Sequence, residues 1–369
     1  MRPFRVAIVG GGIAGLATAL ALRQRGVAAT VYERAPELRE VGAGISVWPN
    51  GSRVLSQLGV LDAVRPSAGP AGSVEILRSD GRRLARLDTS RPDAPSLCVR
   101  RPDLLAALAD GVGQDAIRLG RELSHVDTLR QSVALTFADG SGVEADVVVA
   151  ADGLRSRVRD VVFGPVALAY RGYTVWRGIG PTPAGWPAAD ACEVWGDGER
   201  FGLFRLGGGQ SYWYVCAGRP AGQVSDDEPA EAREIVHNWH PAIAETVRQS
   251  GPVWRHDVYD RAVRGARVRG RVVLVGDAAH GMTPDLGQGS SQALMDAASL
   301  AERVGGEGPL DRALAAFERE QRRRTVPVAL QSRFASRVGQ LGGRSAVVRD
   351  ALTRATPSRW FASSFTSAF

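Results

Sequence analysis

Lysine is absent from this sequence of 369 residues, and all 46 of its basic residues are arginine. Chemistry that depends on a lysine amine, such as a Schiff base or the phosphate-binding lysine of a P-loop, is therefore excluded. Cysteine is scarce, and Cys98, Cys192 and Cys216 lie far apart in the chain. Because no CxxC pair is present, the pattern indicates neither a zinc site nor a disulfide framework, and we expect buried, reduced thiols.

Long apolar runs are also absent. No stretch of 18 or more apolar residues occurs, so no transmembrane helix is predicted. The first residues lead directly into a short apolar strand and then into glycines, without the longer apolar core and cleavage site of a signal peptide. We therefore expect a cytoplasmic protein that has no membrane partner.

The net charge of +7 and the isoelectric point of about 10 are compatible with a nucleic-acid-binding protein. The arginines are dispersed, however, with one short run at residues 322–324. This distribution disfavours nucleic acid as a partner, although a steep salt dependence of DNA binding would revive that alternative.

The N-terminal 34 residues follow the pattern of a βαβ unit. An apolar run ends in a GxGxxG motif formed by Gly10, Gly12 and Gly15, and apolar residues then recur at helical spacing before a second strand. In such a motif the first glycine permits a tight turn. The second lets the backbone approach a pyrophosphate, and the third lets the helix pack on the strand.

The residues around this motif complete a predicted dinucleotide site. Ile13 and Ala14 open the helix, whose free N–H groups and positive dipole end face phosphates. Glu33, followed by Arg34, comes 18 residues after Gly15, where an acid binds a ribose hydroxyl. The motif alone does not distinguish FAD from NAD.

The rest of the chain divides into segments of different amino-acid composition. Six of the eight tryptophans lie between residues 165 and 265, where strands are predicted at 173–178, 200–206 and 211–217. We interpret this region as a substrate domain inserted into a nucleotide-binding domain. Elsewhere we predict helices over 52–58, 101–108, 288–304 and 311–340, short strands within 73–98, a hairpin with arms at 132–137 and 142–150, and a strand over 271–275.

Two further motifs favour FAD. Asp152-Gly153 follows a central apolar strand, and the segment GDAAHGMTPDLGQG begins at Gly276 after a late strand. Together with GGGIAG, these motifs resemble in order, over nearly the whole chain, the single-component FAD-dependent aromatic hydroxylases, the p-hydroxybenzoate hydroxylase-like flavoprotein monooxygenases. The resemblance implies an α/β fold with a Rossmann-like FAD-binding domain (residues 1–70, 99–164 and 266–340), an inserted mixed or antiparallel β-sheet substrate domain (71–98 and 165–265) and a C-terminal helical tail (341–369).

The same resemblance implies several contacts to FAD. Asp277 falls on the position that binds the ribitol, Arg101 of RPDL contacts the cofactor, and Asp152 serves both FAD placement and NAD(P)H. Gly44 and Ser46 match a flavin-adjacent loop, and Leu123 lies where backbone meets the adenine. On physical grounds, Gly287, Gly289 and Ser290 open a helix whose N–H groups would face the flavin, since glycine permits close backbone contact.

Three positions depart from the family pattern. Gly281 replaces the usual proline after GDAAH, Asp285 replaces an asparagine before LGQG, and Met295 replaces the glutamate of Glu-Asp-Ala. None of these changes removes a predicted cofactor contact. The departures at Gly281 and Asp285 fall on the substrate side of the predicted site.

Within the family, ISVWPNG and GYTVWRG are similar to the FAD-dependent urate hydroxylase branch, which pairs an arginine and a tyrosine on neighbouring strands of the substrate site. Arg200 and Tyr212 match that spacing, and with Pro284 they form the predicted catalytic and substrate-contacting set. The alternative is an exposed strand arginine and a core tyrosine. His280 is compatible with either a general base or a structural donor, and His237 with His240 lacks the acidic or thiol partner of a metal site.

The resemblance implies an FAD-dependent monooxygenase that uses NAD(P)H and O2 to hydroxylate a small aromatic or heteroaromatic substrate through a C4a-hydroperoxyflavin. No second GxGxxG motif is present, so NAD(P)H is expected to bind only transiently. The protein is expected to be a monomer or a homodimer. The alternatives are a flavin-dependent epoxidase, oxidase or dehydrogenase on the same scaffold, and a flavin-binding protein without catalysis.

Overall fold

A computed structural model describes residues 4–38, 43–262 and 265–357 of the chain. None of the helices in these ranges combines the length and apolarity needed to cross a bilayer. The strands, numbered in chain order, are β1 (Arg5–Val9), β2 (Ala28–Tyr32), β3 (Gly44–Val47), β4 (Gly69–Pro70), β5 (Ser73–Arg78), β6 (Arg83–Asp88), β7 (Leu97–Arg100), β8 (Ile117–Arg118), β9 (Leu123–Thr128), β10 (Val133–Phe137), β11 (Gly142–Ala145), β12 (Val147–Ala150), β13 (Ala169–Pro181), β14 (Ala191–Trp195), β15 (Arg200–Arg205), β16 (Gln210–Ala217), β17 (Trp254–Asp260), β18 (Val268–Arg269) and β19 (Val272–Leu274).

The α-helices are numbered in the same way: α1 (Ile13–Gln24), α2 (Pro49–Gln57), α3 (Leu61–Val64), α4 (Arg101–Val112), α5 (Arg157–Phe163), α6 (Glu228–Val236), α7 (Pro241–Arg248), α8 (Asp277–His280), α9 (Gly289–Val304), α10 (Leu310–Gly339) and α11 (Arg344–Ala355). Short 3₁₀ helices span Arg65–Ser67, Gln114–Ala116 and Pro284–Leu286. The helices predicted from periodicity are confirmed, with ends shifted by a few residues. Part of the predicted C-terminal tail, residues 358–369, lies outside the described residues.

A six-stranded sheet with the order β18-β19-β12-β1-β2-β8 forms the nucleotide-binding half of the fold. Its pairs are parallel except for β18 with β19. Helices α1, α4 and α9 cover one face, where Ile8 packs with Leu16 and Leu300. Strands β9–β11 cover the other face, where Leu135 of β10 belongs to the same buried cluster as Val9 of β1. Burial on both faces explains why β1 and β12 are apolar without alternation.

One predicted hairpin arm was wrong in its extent. Residues 142–150 form two strands, because β11 pairs antiparallel with β10 whereas β12 pairs parallel with β1. The division falls at Asp146, whose Oδ2 accepts the Arg5 backbone N–H at 2.8 Å. A polar residue between two apolar runs is therefore the point where the chain passes from one sheet to the other.

A seven-stranded sheet with the order β17-β13-β16-β15-β14-β5-β6 forms the other half. It is antiparallel apart from the parallel pair β14–β5, so it is mixed, as predicted. Because side chains alternate along a strand, Trp176 and Trp213 pack under α6 and α7 on one face. Tyr212 and Phe204 lie on the opposite face, which is turned toward the nucleotide-binding half. The small sheet β3-β7-β4 joins strands that precede and follow the β5–β6 hairpin in the chain.

Candidate active site

A cavity of about 970 Å³ extends from the GxGxxG turn to the open face of the seven-stranded sheet. Thirteen of the residues predicted for the site line it: Gly12, Ile13, Ala14, Gly44, Ser46, Arg101, Arg200, Tyr212, Asp277, Pro284, Gly287, Gly289 and Ser290. We call the part lined by Gly12, Asp277, Gly287, Gly289 and Ser290 the cofactor end. The part lined by Glu193, Arg200, Tyr212, Tyr214 and Asp285 is called the sheet end.

The first turn of α1 is built by glycines with different surroundings. A Cβ at Gly10 would lie 2.4 Å from the Ala151 carbonyl oxygen, and one at Gly15 would lie 1.9 Å from the Gly10 carbonyl oxygen. At Gly12 a Cβ would meet no described atom within 4 Å. Gly10 and Gly15 therefore allow the strand and helix to pack, whereas Gly12 faces open space beside the unpaired N–H groups of the helix start.

Glu33 lies at the end of β2, and its carboxylate orders the same turn. Its Oε2 accepts the Gly11 backbone N–H at 2.6 Å, and its Oε1 accepts the Ala35 N–H at 2.9 Å. The neighbouring Arg34 is exposed. Both carboxylate oxygens already have backbone donors, so a ribose hydroxyl would share them.

Three other predicted residues, Gly10, Leu123 and Asp152, do not line the cavity. Gly10 packs on the backbone of Asp152, whose Oδ2 accepts the Val158 N–H at 3.1 Å. Burial raises the pKa of the Asp152 carboxyl, although hydrogen bonds from Ser156 and Val158 act in the opposite direction. Leu123 is buried at the start of β9. None of these residues, nor Gly15 or Glu33, lines the cavity formed by the described part of the chain.

The start of α9 is fastened to β3. Ser290 Oγ donates to the Ser46 carbonyl oxygen at 2.7 Å, and the Trp48 N–H donates to Ser291 Oγ at 3.1 Å. Gly287 has a φ of +60°, and a Cβ there would lie 3.0 Å from Trp48 Nε1. The two segments predicted to contact flavin are thus brought together, with the α9 N-terminus facing the cavity.

Asp277 begins α8 and has an exposed side chain that lines the cavity. The preceding Gly276 has a φ of +57°, and its N–H donates to Asp296 Oδ2 at 2.9 Å. Arg101 begins α4 and also lines the cavity. A carboxylate and an arginine therefore flank the cofactor end, which suits a ligand with both hydroxyl and phosphate groups.

His280 is the last residue of α8, the short helix that Asp277 begins. Its Nε2 is 2.7 Å from Asp296 Oδ2, both side chains are fully buried, and His280 is not among the described residues that line the cavity. Burial acts to raise the pKa of Asp296, but His280 and Arg324 outweigh it and lower that pKa. This geometry favours the structural role for His280 over the role of a general base.

Arg200 is held between two carboxylates at the sheet end. Its Nη1 donates to Glu193 Oε1 at 3.1 Å, and its Nη2 donates to Asp285 Oδ1. The guanidinium stands over the Tyr173 ring, with its central carbon 5.7 Å from the ring centroid. Burial alone would lower its pKa, yet Asp285 and Glu193 hold the pKa of Arg200 well above the usual value. Both terminal nitrogens of the guanidinium predicted to bind substrate thus already donate to carboxylates of the protein, whereas its buried Nε has no hydrogen-bond partner among the described residues.

The two carboxylates also accept hydrogen bonds from neutral donors. Tyr173 Oη donates to Asp285 Oδ2 at 2.9 Å, and Tyr214 Oη donates to Glu193 Oε2 at 3.0 Å. Trp195 Nε1 donates to Glu193 Oε1 at 2.9 Å. Glu193 is not among the residues predicted from the sequence, although a single carboxylate within the apolar strand ACEVW was a usable signal. Asp285 was visible as a departure from the family pattern, but its partner was not.

Tyr212 lies on β16 beside β15 but is not directly opposite Arg200. The register pairs Tyr212 with Phe204 and Arg200 with Cys216. The Tyr212 side chain packs against Gly44, where a Cβ would lie 2.5 Å from the Tyr212 Cβ. Burial raises the pKa of Tyr212, and a hydrogen bond with Arg177 only partly offsets it. The phenol therefore stays protonated at neutral pH, and its hydroxyl hydrogen can be donated to a ligand.

The three cysteines are free and buried, as expected. Cys216 lines the cavity, and burial raises the pKa of its thiol to about 12. It is therefore a neutral thiol at physiological pH. The described residues contain no group of three or more His, Cys, Asp or Glu side chains arranged to hold a metal ion.

These features define a dinucleotide-binding protein in which a ligand chamber adjoins the nucleotide cleft. A family model described as an FAD binding domain matches residues 4–325. The chain belongs to this FAD-binding family, whose members include flavoprotein aromatic monooxygenases. FAD is accordingly its cofactor, and the open backbone at Gly12 and the glycine-lined start of α9 fit it.

The chain is similar to several characterised relatives along most of its length. It is 36% identical over 349 residues to the aurachin C monooxygenase/isomerase of Stigmatella aurantiaca, covering 91% of this chain and 89% of that protein. It is 36% identical over 308 residues to the 3-amino-4-hydroxybenzoate 2-monooxygenase of Streptomyces cremeus, covering 81% of this chain and 78% of that protein. The crystal structure of Klebsiella pneumoniae HpxO complexed with FAD and uric acid matches with a TM-score of 0.91 at 27% identity, covering 99% of this chain and 96% of that one.

Proposed function

We propose that this protein is a monooxygenase that uses FAD, NAD(P)H and O2 to hydroxylate a small aromatic or heteroaromatic ring. The observation that carries the proposal is the continuity of the cavity from the FAD-binding turn to a chamber walled by aromatic side chains. Phe204, Tyr212 and Tyr214 line that chamber. A flat ring packed on this wall would lie next to the cofactor. The relatives' names, a hydroxybenzoate monooxygenase among them, support a ring substrate.

FAD, when bound, would supply the redox and oxygen chemistry. The predicted cofactor contacts remain our assignment: Gly10, Gly12, Ile13, Ala14, Gly15, Glu33, Arg34, Gly44, Ser46, Arg101, Leu123, Asp152, Asp277, Gly287, Gly289 and Ser290. Of these, Gly10 and Gly15 act through packing, Glu33 orders the turn, and the cavity-lining residues would contact FAD directly. The α9 N-terminus would favour negative charge on the flavin ring.

The residues of the sheet end would bind and orient the substrate. Tyr212 would donate a hydrogen bond, and Pro284 would form part of the wall near the flavin. Arg200 would act by holding Glu193 and Asp285 in place, which makes it a positioning residue. The hydrophobic wall would exclude water from the reacting atoms.

The test is substrate-stimulated oxidation of NADH and NADPH by the FAD-loaded protein. A panel of phenols, hydroxybenzoates, hydroxypyridines, quinolones and purines should include a ring that accelerates nicotinamide oxidation and is recovered with one added oxygen. An equal, slow rate with every ring and no oxygenated product would count against the proposal. Oxidation of a substrate without nicotinamide would instead indicate a flavin oxidase.

A further inference from the structure

The charge at the sheet end is set by three side chains that are removed from bulk water. Asp285 and Arg200 have side-chain exposures of 0% and 3%, and Glu193 has 20%. Two carboxylates surround one guanidinium, so the cluster carries one net negative charge when all three are ionised. Arg200 donates to a carboxylate on each side, so its positive charge is balanced within the cluster, although its buried Nε has no hydrogen-bond partner among the described residues.

The part of this cluster that faces the cavity is a hydrogen-bond acceptor. Glu193 is the most exposed of the three residues and lines the cavity. Its oxygens accept three hydrogen bonds, from Arg200, Trp195 and Tyr214, whereas an ionised carboxylate offers about four acceptor positions. One position is therefore left for a donor on a ligand.

The other arginine near the aromatic wall is some distance away in the sheet. Arg177 lies on β13, which is separated from β15 by β16. It bonds Tyr212 and forms no ion pair within the described residues. Arg177 also lines the cavity and lies opposite Tyr214 in the sheet, with one strand between it and Arg200 and two between it and Glu193. The three side chains of the cluster still sum to one negative charge among themselves.

The walls next to Glu193 are apolar. Val74, Ile76 and Leu87 of the β5–β6 hairpin and Trp195 of β14 line the cavity beside it. This wall offers no donor to a charged oxygen apart from the Trp195 N–H, which Glu193 already occupies. An anionic group placed against this wall would lose its hydration and gain no partner from the wall itself.

We infer that the substrate of this enzyme is an uncharged ring bearing an N–H, O–H or amino donor, which binds to Glu193, with an apolar edge against Val74, Ile76 and Leu87. Ring carboxylates are rejected, because a second carboxylate would approach Glu193 in a desolvated chamber. This inference rests on the proposed function, since it names the substrate class of the same chamber.

The test compares ligands that differ in charge and little else. The FAD-loaded protein is titrated with salicylamide and salicylate, and with 4-hydroxybenzamide and 4-hydroxybenzoate, while the flavin absorbance is followed. Each amide is expected to bind at least about tenfold more tightly than its acid. Equal or tighter binding of the acids, or no flavin change with any amide, would overturn the inference.

Two variants connect the preference to the cluster. Glu193→Gln and, independently, Asp285→Asn remove one negative charge each and keep the shape, so each should bring the amide-to-acid ratio down to about threefold or less. Glu234→Gln removes a charge at the surface, where its side chain is 79% exposed, and should leave the ratio unchanged. If both cluster variants keep the wild-type ratio, the cluster does not set the preference.

These titrations need neither nicotinamide nor oxygen. If the protein prefers the amides but never oxygenates a ring, the proposed function fails and the charge preference stands. If it hydroxylates a ring carboxylate efficiently, the proposed function stands and the inference fails.

Discussion

The cofactor end and the sheet end of the cavity are built from different kinds of chemical groups. The cofactor end is formed largely by backbone: Gly12 leaves open space, and Gly287 and Gly289 bring main chain to the surface. The sheet end is formed by side chains of β14, β15 and the 3₁₀ helix Pro284–Leu286, which form ion pairs and orient one another. Cofactor recognition therefore depends on where the backbone can approach a ligand, whereas substrate recognition depends on charge balance. The predictions below test this difference.

The largest effect is expected at Arg200. Arg200→Gln removes the one cation that pairs with the buried carboxylate of Asp285 among the described residues, so the free energy of unfolding should fall by about 3–5 kcal/mol. Urea unfolding of the FAD-loaded protein measures it. The triple variant with Glu193→Gln and Asp285→Asn should recover most of the loss, because no charge then remains unpaired. A loss of less than about 0.5 kcal/mol in the single variant would mean that the pair contributes no more than a surface contact.

Gly15 and Gly12 provide a matched pair at the cofactor end. Gly15→Ala places a Cβ 1.9 Å from a backbone oxygen. Overpacking of this kind costs about 1–3 kcal/mol, and we expect the free energy of unfolding to fall by a value near the upper end of that range. Gly12→Ala meets no described atom and should keep the apoprotein's melting temperature while weakening FAD binding. Thermal melts and flavin titrations distinguish the two. Equal melting temperatures for both variants would contradict the packing role of Gly15.

Asp277→Ala should weaken FAD binding by about 1.5–3 kcal/mol, since a hydrogen bond to an ionised carboxylate is lost. The side chain is exposed in the cavity and begins α8, so the fold should tolerate its removal. Flavin fluorescence titration gives the dissociation constant, with Asp62→Ala, at a 93% exposed surface position, as the control. An unchanged constant would remove Asp277 from the cofactor contacts.

The smallest effect is expected at Tyr212. Tyr212→Phe should leave FAD binding intact and weaken substrate binding or its coupling to hydroxylation by about 1 kcal/mol, the loss of one hydrogen bond. Because burial raises the pKa of Tyr212, wild type should show no ionisation of this phenol below about pH 10. A pH profile of substrate binding checks this point, and a lower break that vanishes in the phenylalanine variant would contradict it.

The sequence predicted the cofactor end more completely than the sheet end for a physical reason. Gly10, Gly12 and Gly15 lie within six residues of one strand–helix turn, so local spacing encodes their geometry. Glu193 and Asp285 are 92 residues apart, and only the sheet and the turn after α8 bring both to Arg200. The predicted Arg200–Tyr212 pair had the correct strands but lacked this ion network.

The most direct test of the account is hydroxylation under ¹⁸O2. The FAD-loaded protein should be supplied with NAD(P)H and the ring that stimulates its oxidation best, and the products analysed by mass spectrometry. A monooxygenase should place one labelled oxygen atom in each product molecule and form about one product per nicotinamide consumed. Unlabelled product, or hydrogen peroxide in stoichiometric yield with the ring unchanged, would contradict it.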